Sequence, residues 1–466
     1  MPHEVTLITT IAAAFGLALV FGLVASKLKV PPLVGYLLAG MAIGPATPGF
    51  VGDVGLASQL AEIGVMLLMF GVGLHLSLGD LLSVRRIAVP GALVQIAIAT
   101  GLGMAAASFW GWSAGEAFVL GFSLSCASTV VLIRALESRG ILDSVDGRIA
   151  VGWLVVEDLA MVLALVLLPP FAMLLGGAPG ASAPAGGGLL ATVAITLVKL
   201  AGFVVLMLVV GRRLFPWLLF RVAKTGSREL FTLFVVATAI GVAFGSAKLF
   251  DVSFALGAFF AGTMMRESEY AHRAAEESLP LRDAFSVLFF VSVGMLFEPR
   301  VLVEHPVKVL VVAAVILAGK TVGAVGLVLA FRYPLGTALT IGASLAQIGE
   351  FSFILAGLGA ALGLLPPEGR SLILVGAILS IGLNPVVFTT IEPVRTWLLA
   401  RSRFLRALDL RSHPTAALPE TTDEALLKGQ VVLVGYGRVG RRVAEALEAR
   451  KVPFVVAEQG REAVEA

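Results

Sequence analysis

Cysteine is almost absent. Cys126 is the single one, so no disulfide can form within the chain. Charge is scarce too: Asp, Glu, Lys and Arg make up 14% of the 466 residues, well below the share a soluble domain carries on its surface. The 34 basic and 31 acidic side chains nearly cancel, and a net charge of +3 is too small to suggest a nucleic-acid partner. A cleavable leader is not expected: MPHEV has no basic region, and Lys27 and Lys29 follow the first apolar run instead of preceding it. What fills the space is apolar. Hydrophobic residues make up 58% of the chain, and the mean hydropathy is +0.97. Long apolar runs recur along most of it, each enough to cross a hydrocarbon core of roughly 30 Å. The lipid bilayer is therefore a partner. Such spans must be helices, because lipid satisfies no backbone group, and runs without alternation exclude a β-barrel.

Thirteen spans are expected, at about 5–26, 32–44, 56–76, 87–109, 115–134, 148–175, 189–211, 228–247, 252–265, 283–297, 307–331, 336–363 and 369–393. Lys and Arg concentrate in the loops after the odd-numbered spans and in the segment after the last one. Because basic residues stay on the cytoplasmic side, this places the N-terminus outside and the C-terminus inside.

Three segments repeat in order at nearly one offset. LVGYLLAGMAIG (33–44) resembles ALGAFFAGTMMR (255–266), GVGL (71–74) resembles SVGM (292–295), and GFSLSCASTVVLI (121–133) resembles GASLAQIGEFSFI (342–354). The shift maps span two onto span nine. An odd shift inverts the two halves in the membrane, the arrangement of secondary transporters that work by alternating access. Spans five and twelve look least like plain helices. Ser123, Ser125, Ser128 and Thr129 crowd one; Gly342, Gln347, Gly349 and Glu350 interrupt the other. Broken helices at equivalent places expose carbonyls and helix ends to an ion.

Glu157 and Asp158 stand side by side near the centre of span six. Each intramembrane charge costs at least roughly 2.5–3.5 kcal/mol, which marks such residues as functional. As helix neighbours they point about 100° apart, so they do not share one partner. Asp158 is expected to face the broken spans and take a monovalent cation or a proton in competition; Glu157 is a second titrating group or the partner of a base. Lys320, deep in span eleven, is that base, pairing with Glu157 or Asp158. Lys199 in span seven is another intramembrane lysine, which snorkels or sits on a tilted linking helix unless it serves as a second base. Ser128 and Thr129 are ion ligands or packing hydroxyls; Glu350 is a ligand, a gate residue or a helix-end charge. Cys126 reads as a packing residue, His75 as a cytoplasmic-end residue with a possible pH-sensing role, and Asn384–Pro385 as a kink.

Residues 1–397 thus form the transmembrane domain and 398–428 a linker, opened by a basic stretch that is either a surface helix or an ordinary positive-inside tail. In 429–466, VVLVGYGRVGRRVAEALEARKVPFVVAEQG reads strand–turn–helix–strand. Gly435, Gly437 and Gly440, with Arg438 opening the helix, would cradle a pyrophosphate, and Glu458 at the end of the second strand would meet a ribose hydroxyl. One β-α-β unit is less than a doubly wound sheet, so 429–466 is expected to be the first fragment of a regulatory domain.

SLSCASTVVLIRALESRG, GRIAVGWLVVEDLAMVLALVLLP, LFFVSVGMLFEP, SLAQIGEFSFIL and VVLVGYGRVG together resemble the monovalent cation:proton antiporter-2 family, in particular its Kef-type bacterial members, over nearly the whole chain. The resemblance implies an all-α polytopic fold of about thirteen helices, with crossed broken helices and inverted repeats, a homodimer, and a bacterial inner-membrane location. It implies exchange of a monovalent cation for protons, potassium ahead of sodium. It also implies gating by a C-terminal domain that takes AMP or NAD(H), and in Kef-type members glutathione, none of which transport itself requires as a cofactor. Asp158 matches the family's essential aspartate, Ser128 and Thr129 its broken-helix hydroxyls, Lys320 the lysine of the helix beside the site. The Glu-Asp pair departs from the Gln-Asp of potassium members and the Asp-Asp of electrogenic sodium members. Two other classes stand against exchange. A ligand-gated potassium channel would need a TVGYG-like carbonyl filter, which the sequence lacks. A dinucleotide-using membrane enzyme would need a catalytic constellation, and the glycine motif lies beyond the membrane part without one, so the chain is not expected to be an enzyme.

Overall fold

The computed structural model describes residues 3–75, 78–142, 144–177, 189–250, 252–409, 431–450 and 452–457. The first half consists of α1 (His3–Lys27), α2 (Pro32–Ala42), α3 (Val54–His75), α4 (Leu78–Phe109), α5 (Ala114–Ser123), α6 (Thr129–Glu137) and α7 (Val145–Phe171). α8 (Leu189–Leu206) continues through a π-helical turn at Met207–Gly211 into α9 (Arg212–Ala223). The second half holds α10 (Arg228–Phe250), α11 (Phe254–Arg266), α12 (Ala271–Met295), α13 (Arg300–Glu304) and α14 (Pro306–Ala314). A second π-helical turn at Val315–Gly319 leads into α15 (Lys320–Ala330), and α16 (Leu335–Leu345), α17 (Glu350–Ala361) and α18 (Pro367–Thr389) complete this half. The tail carries α19 (Ile391–Arg401), α20 (Arg403–Asp409), β1 (Val431–Val434), α21 (Arg438–Ala449) and β2 (Phe454–Ala457).

Among the described residues, eight helices are each long and apolar enough to cross a membrane, and the α16–α17 pair, bent by 45°, makes a ninth span. Helices stand at all thirteen expected positions. Four are short or interrupted for a physical reason. α2 and α11 have 11 and 13 residues, about half the reach a bilayer demands. They occupy equivalent places in the repeat, and so do the breaks of α5–α6 and α16–α17: Ser128 caps α6 where Gly349 caps α17. The first half, α1 to α7, thus recurs as α10 to α18, with α8–α9 between them. Equivalent close crossings support this. α2 meets α12 at Gly40 and Gly294, and α3 meets α11 at Gly73 and Gly262; a Cβ at any of the four would strike the facing backbone.

Some boundaries differ from expectation: α4 begins at Leu78 instead of 87, α12 at Ala271 instead of 283, and the helix of span seven runs on past 211. The apolar run of span seven stops at Gly211, but the helix goes on to Ala223, carrying Arg212 and Arg213 with it. The π-helical turn takes up the change without breaking the backbone ladder. In the tail, β1 and β2 pair in parallel, Val431 opposite Phe454, with α21 as the connection. Gly435 has φ +91°, a left-handed conformation that suits glycine, and turns the chain from β1 toward α21.

Candidate functional site

A broken helix in lipid frees backbone groups that something must satisfy. At the α5–α6 break, side chains from α7 and from the α16–α17 break do it. The Ala127 N–H donates to Glu157 Oε2 at 2.9 Å. The Ser128 N–H donates to Gln347 Oε1 at 2.8 Å, and Gln347 Nε2 returns a bond to the Ser128 carbonyl at 3.2 Å. At the α16–α17 break, Lys320 Nζ donates to the Gln347 carbonyl at 2.9 Å, and Asn384 Nδ2 to that of Ala343 at 2.9 Å. The two breaks touch directly: a Cβ on Gly349 would lie 2.5 Å from Ser128 Cα.

The charges follow the helix dipoles. Glu157 sits before the N-terminus of α6 through Ala127, and Asp158 accepts from Thr129 Oγ1 in the first turn of α6 at 3.0 Å. Glu350 opens α17 and accepts from Ser128 Oγ at 3.2 Å. All three carboxylates therefore lie at positive helix ends. Lys320 lies at the negative end of α16.

A cavity of about 430 Å³ reaches this cluster. Thr129, Asp158 and Glu350 line it, and so do the exposed Arg134, Glu137 and Asp283 and the half-buried Arg282. The exposed residues mark its mouth, on the face that holds the basic loops. Glu157, Ser128 and Lys320 are buried and do not line it. The neighbouring acids of α7 are thus separated: Asp158 faces the cavity, and Glu157 faces the crossing. One oxygen of each of Glu157 and Glu350 is buried without a hydrogen-bond partner.

A second cavity of about 1070 Å³ lies toward the opposite face, lined among others by Glu62, Lys199 and Arg370. Phe290 lines the first cavity and Phe289 the second, their rings edge to face at 5.1 Å. Phe353 joins Phe289 on the second side, its ring centroid 6.5 Å away. These rings stand between the two cavities.

Several expectations change. Lys320 makes no ion pair within 4 Å of Glu157 or Asp158; its amine donates to the Gln347 carbonyl at the α16–α17 break, just after the π-helical turn that ends at Gly319, while its charge still acts on buried Glu157. Cys126, expected to pack, also points its thiol at Asp158 Oδ1, 3.8 Å away. Pro385, expected with Asn384 to mark a kink, lies inside the continuous helix α18. Lys199 lines the second cavity. His75 ends α3, and its side chain lies outside the described residues, as do Glu458 and the side chain of Arg438. Gln347 was visible in the sequence only as a polar residue in a broken span, and nothing there named its partner. Among the described residues no three or more His, Cys, Asp or Glu side chains gather as a multi-ligand metal centre.

Residues 15–391 match the sodium/hydrogen exchanger transmembrane family. The chain is 55% identical over its whole length to YbaL of Escherichia coli (strain K12), a protein named as a candidate cation/proton antiporter, and covers 81% of it. It is 35% identical over 78% of its length to K(+) efflux antiporter 4 of Arabidopsis thaliana, of which it covers 60%. In fold it is similar to the sodium proton antiporter MjNhaP1 of Methanocaldococcus jannaschii, with a TM-score of 0.56 at 16% identity over 86% of this chain and 99% of that one. Crossed broken helices, intramembrane acids at their ends and a family match across the membrane part agree: the chain belongs to the sodium/hydrogen exchanger family, multi-pass membrane proteins that exchange cations for protons and are not enzymes.

Proposed function

We propose that the chain exchanges potassium for protons, with Asp158 as the carboxylate over which the two compete. The observation that carries this is the shared cavity floor: Asp158, Thr129 and Glu350 meet there behind a charged mouth. Ionised Asp158 attracts a cation, Glu350 has an oxygen free to join it, and Thr129 holds the Asp158 carboxylate in place. A proton on Asp158 removes the charge that holds the cation. One species therefore leaves as the other binds, and exchange follows from exclusion at one site. The relative named as a K(+) efflux antiporter supports potassium.

In this reading the mouth of the cavity is cytoplasmic and the N-terminus outside, supported by the concentration of Lys and Arg in the loops on the mouth's face. Alternating access then requires the Phe289–Phe290–Phe353 barrier to open toward the second cavity as the first closes. The turn after β1, with Gly435, Gly437 and Gly440 leading into α21, is the proposed seat of a regulatory nucleotide such as AMP or NAD(H), its phosphates at the α21 N-terminus.

The test is dissipation of a pH gradient in proteoliposomes on addition of potassium, sodium or lithium, wild type against Asp158→Asn. Potassium-dependent proton movement that the variant loses supports the assignment. A response to sodium alone moves the ion choice to sodium. Cation flux without proton movement that survives Asp158→Asn would mean a gated channel, and the reading would fall.

A further inference from the structure

The tail after α18 is tied to the transport site. α19 and α20 form a hairpin, because Ser402 adopts an extended conformation between them and the Arg406 guanidinium reaches back to the Leu399 carbonyl at 2.8 Å. The hairpin brings Asp409 under α16. Its Oδ1 accepts the Gly336 N–H at 3.3 Å, and its Oδ2 pairs with Arg395 Nη2 at 2.8 Å. The Asp409 side chain is only 11% exposed, so this pair is far less open to solvent than an ordinary surface pair.

Gly336 lies in the first turn of α16, whose freed N–H groups and positive end favour a carboxylate. Its neighbour Thr337 donates to Asp146 Oδ1 at 2.8 Å, which joins the same turn to the start of α7. From that turn α16 is one unbroken helix of 11 residues ending at Leu345. Two residues on is Gln347, which holds both backbone groups of Ser128 and accepts from Lys320. Ser128 in turn donates to Glu350. A short rigid helix transmits a tilt at one end to the other, so whatever sets the first turn of α16 also sets the Gln347–Ser128–Glu350 contacts.

We infer that Asp409 is a positioning residue for cation exchange: it fixes the α16 N-terminus and, through the helix, the geometry of Glu350 at the cation site. This rests on the exchange reading above.

The experiment uses the full chain in proteoliposomes, with the half-saturating potassium concentration, maximal rate and pH profile read for wild type, Asp409→Ala, Asp409→Asn and Arg395→Gln. Asp409→Ala is expected to raise half-saturating potassium about three- to tenfold, the size that follows if the capping contact favours the cation-binding geometry by its usual magnitude, with a shifted pH profile and little change in maximal rate. Asp409→Asn keeps an oxygen for the Gly336 N–H and recovers most of it. Wild-type half-saturation and pH profile in folded Asp409→Ala overturn the inference. Arg395→Gln, which removes the partner of Asp409 Oδ2, is expected to raise half-saturating potassium in the same direction, and where Asp409→Ala fails to accumulate, wild-type values in Arg395→Gln overturn the inference equally. Absence of exchange in the wild-type chain would overturn the transport reading itself, whereas wild-type kinetics in the variants remove only the positioning role.

Discussion

Gln347 and Ser128 exchange two hydrogen bonds across the contact of two broken helices, N–H to Oε1 at 2.8 Å and Nε2 to carbonyl at 3.2 Å. One amide side chain thus stands in for a missing stretch of helix ladder. It does so between residues 219 positions apart, in the two halves of the repeat.

Replacing Gln347 by Leu keeps the volume and removes both partners. Each stranded backbone group costs about 1–3 kcal/mol in an apolar interior. Gln347→Leu is expected to melt several degrees below wild type in detergent and to lose cation-dependent proton movement. Gln347→Glu, which keeps one acceptor, should fall between. Wild-type melting and transport in Gln347→Leu would show that the crossing is satisfied some other way.

The same contact leaves no room at Gly349. An added methyl would sit 2.5 Å from Ser128 Cα and 2.9 Å from its nitrogen, with backbone on both sides. Overpacking of this kind costs typically about 1–3 kcal/mol. Gly349→Ala is expected to push the breaks apart and abolish exchange, while Gly357→Ala on the same helix, where a Cβ meets nothing, leaves it intact. Equal transport in both variants would contradict the close crossing.

The parts of this arrangement that were legible in the sequence are those set by local pattern. The three repeated segments, the polar interruption of spans five and twelve, and the acids of span six all follow from one offset and from hydropathy, and helices stand at each expected place. The angle between neighbouring helical residues also separates Glu157 from Asp158 before any fold is known. Rotation and reach were not legible. Depth in span eleven suggested an ion pair for Lys320, but its amine, just after a π-helical turn, donates to a carbonyl. Span seven looked finished at Gly211 because charge follows, yet a helix tolerates charge once it nears the membrane edge. The bond from Gly336 to Asp409 joins residues 73 apart with no periodicity between them, so only the folded chain reveals it.

For Lys320 the geometry separates two roles. If its task is to satisfy the Gln347 carbonyl, a shorter neutral donor serves in part. Lys320→Gln is then expected to keep measurable potassium-dependent exchange, whereas Lys320→Met strands the carbonyl and loses it together with thermal stability. Recovery of Lys320→Met by a second change, Glu157→Gln, would instead reveal a charge partnership that the 2.9 Å bond to Gln347 does not suggest.

Glu350 and Asp158 share a cavity but differ in what each has left to offer. Glu350 gives one oxygen to Ser128 and keeps the other without a partner, while Asp158 already takes the Thr129 hydroxyl and the Cys126 thiol. In the proposed mechanism Glu350 is a ligand and Asp158 is the group that changes protonation. Glu350→Gln therefore weakens the cation's hold without removing the site of competition. Half-saturating potassium is expected to rise about tenfold, which is about 1.4 kcal/mol of binding, with exchange still measurable at high potassium. Asp158→Asn removes the competing proton site, so no potassium concentration restores exchange. Titrating transport against potassium in both variants decides the matter: a Glu350→Gln protein that is dead at every concentration would make the two acids one unit, and one with wild-type half-saturation would remove Glu350 from the cation site.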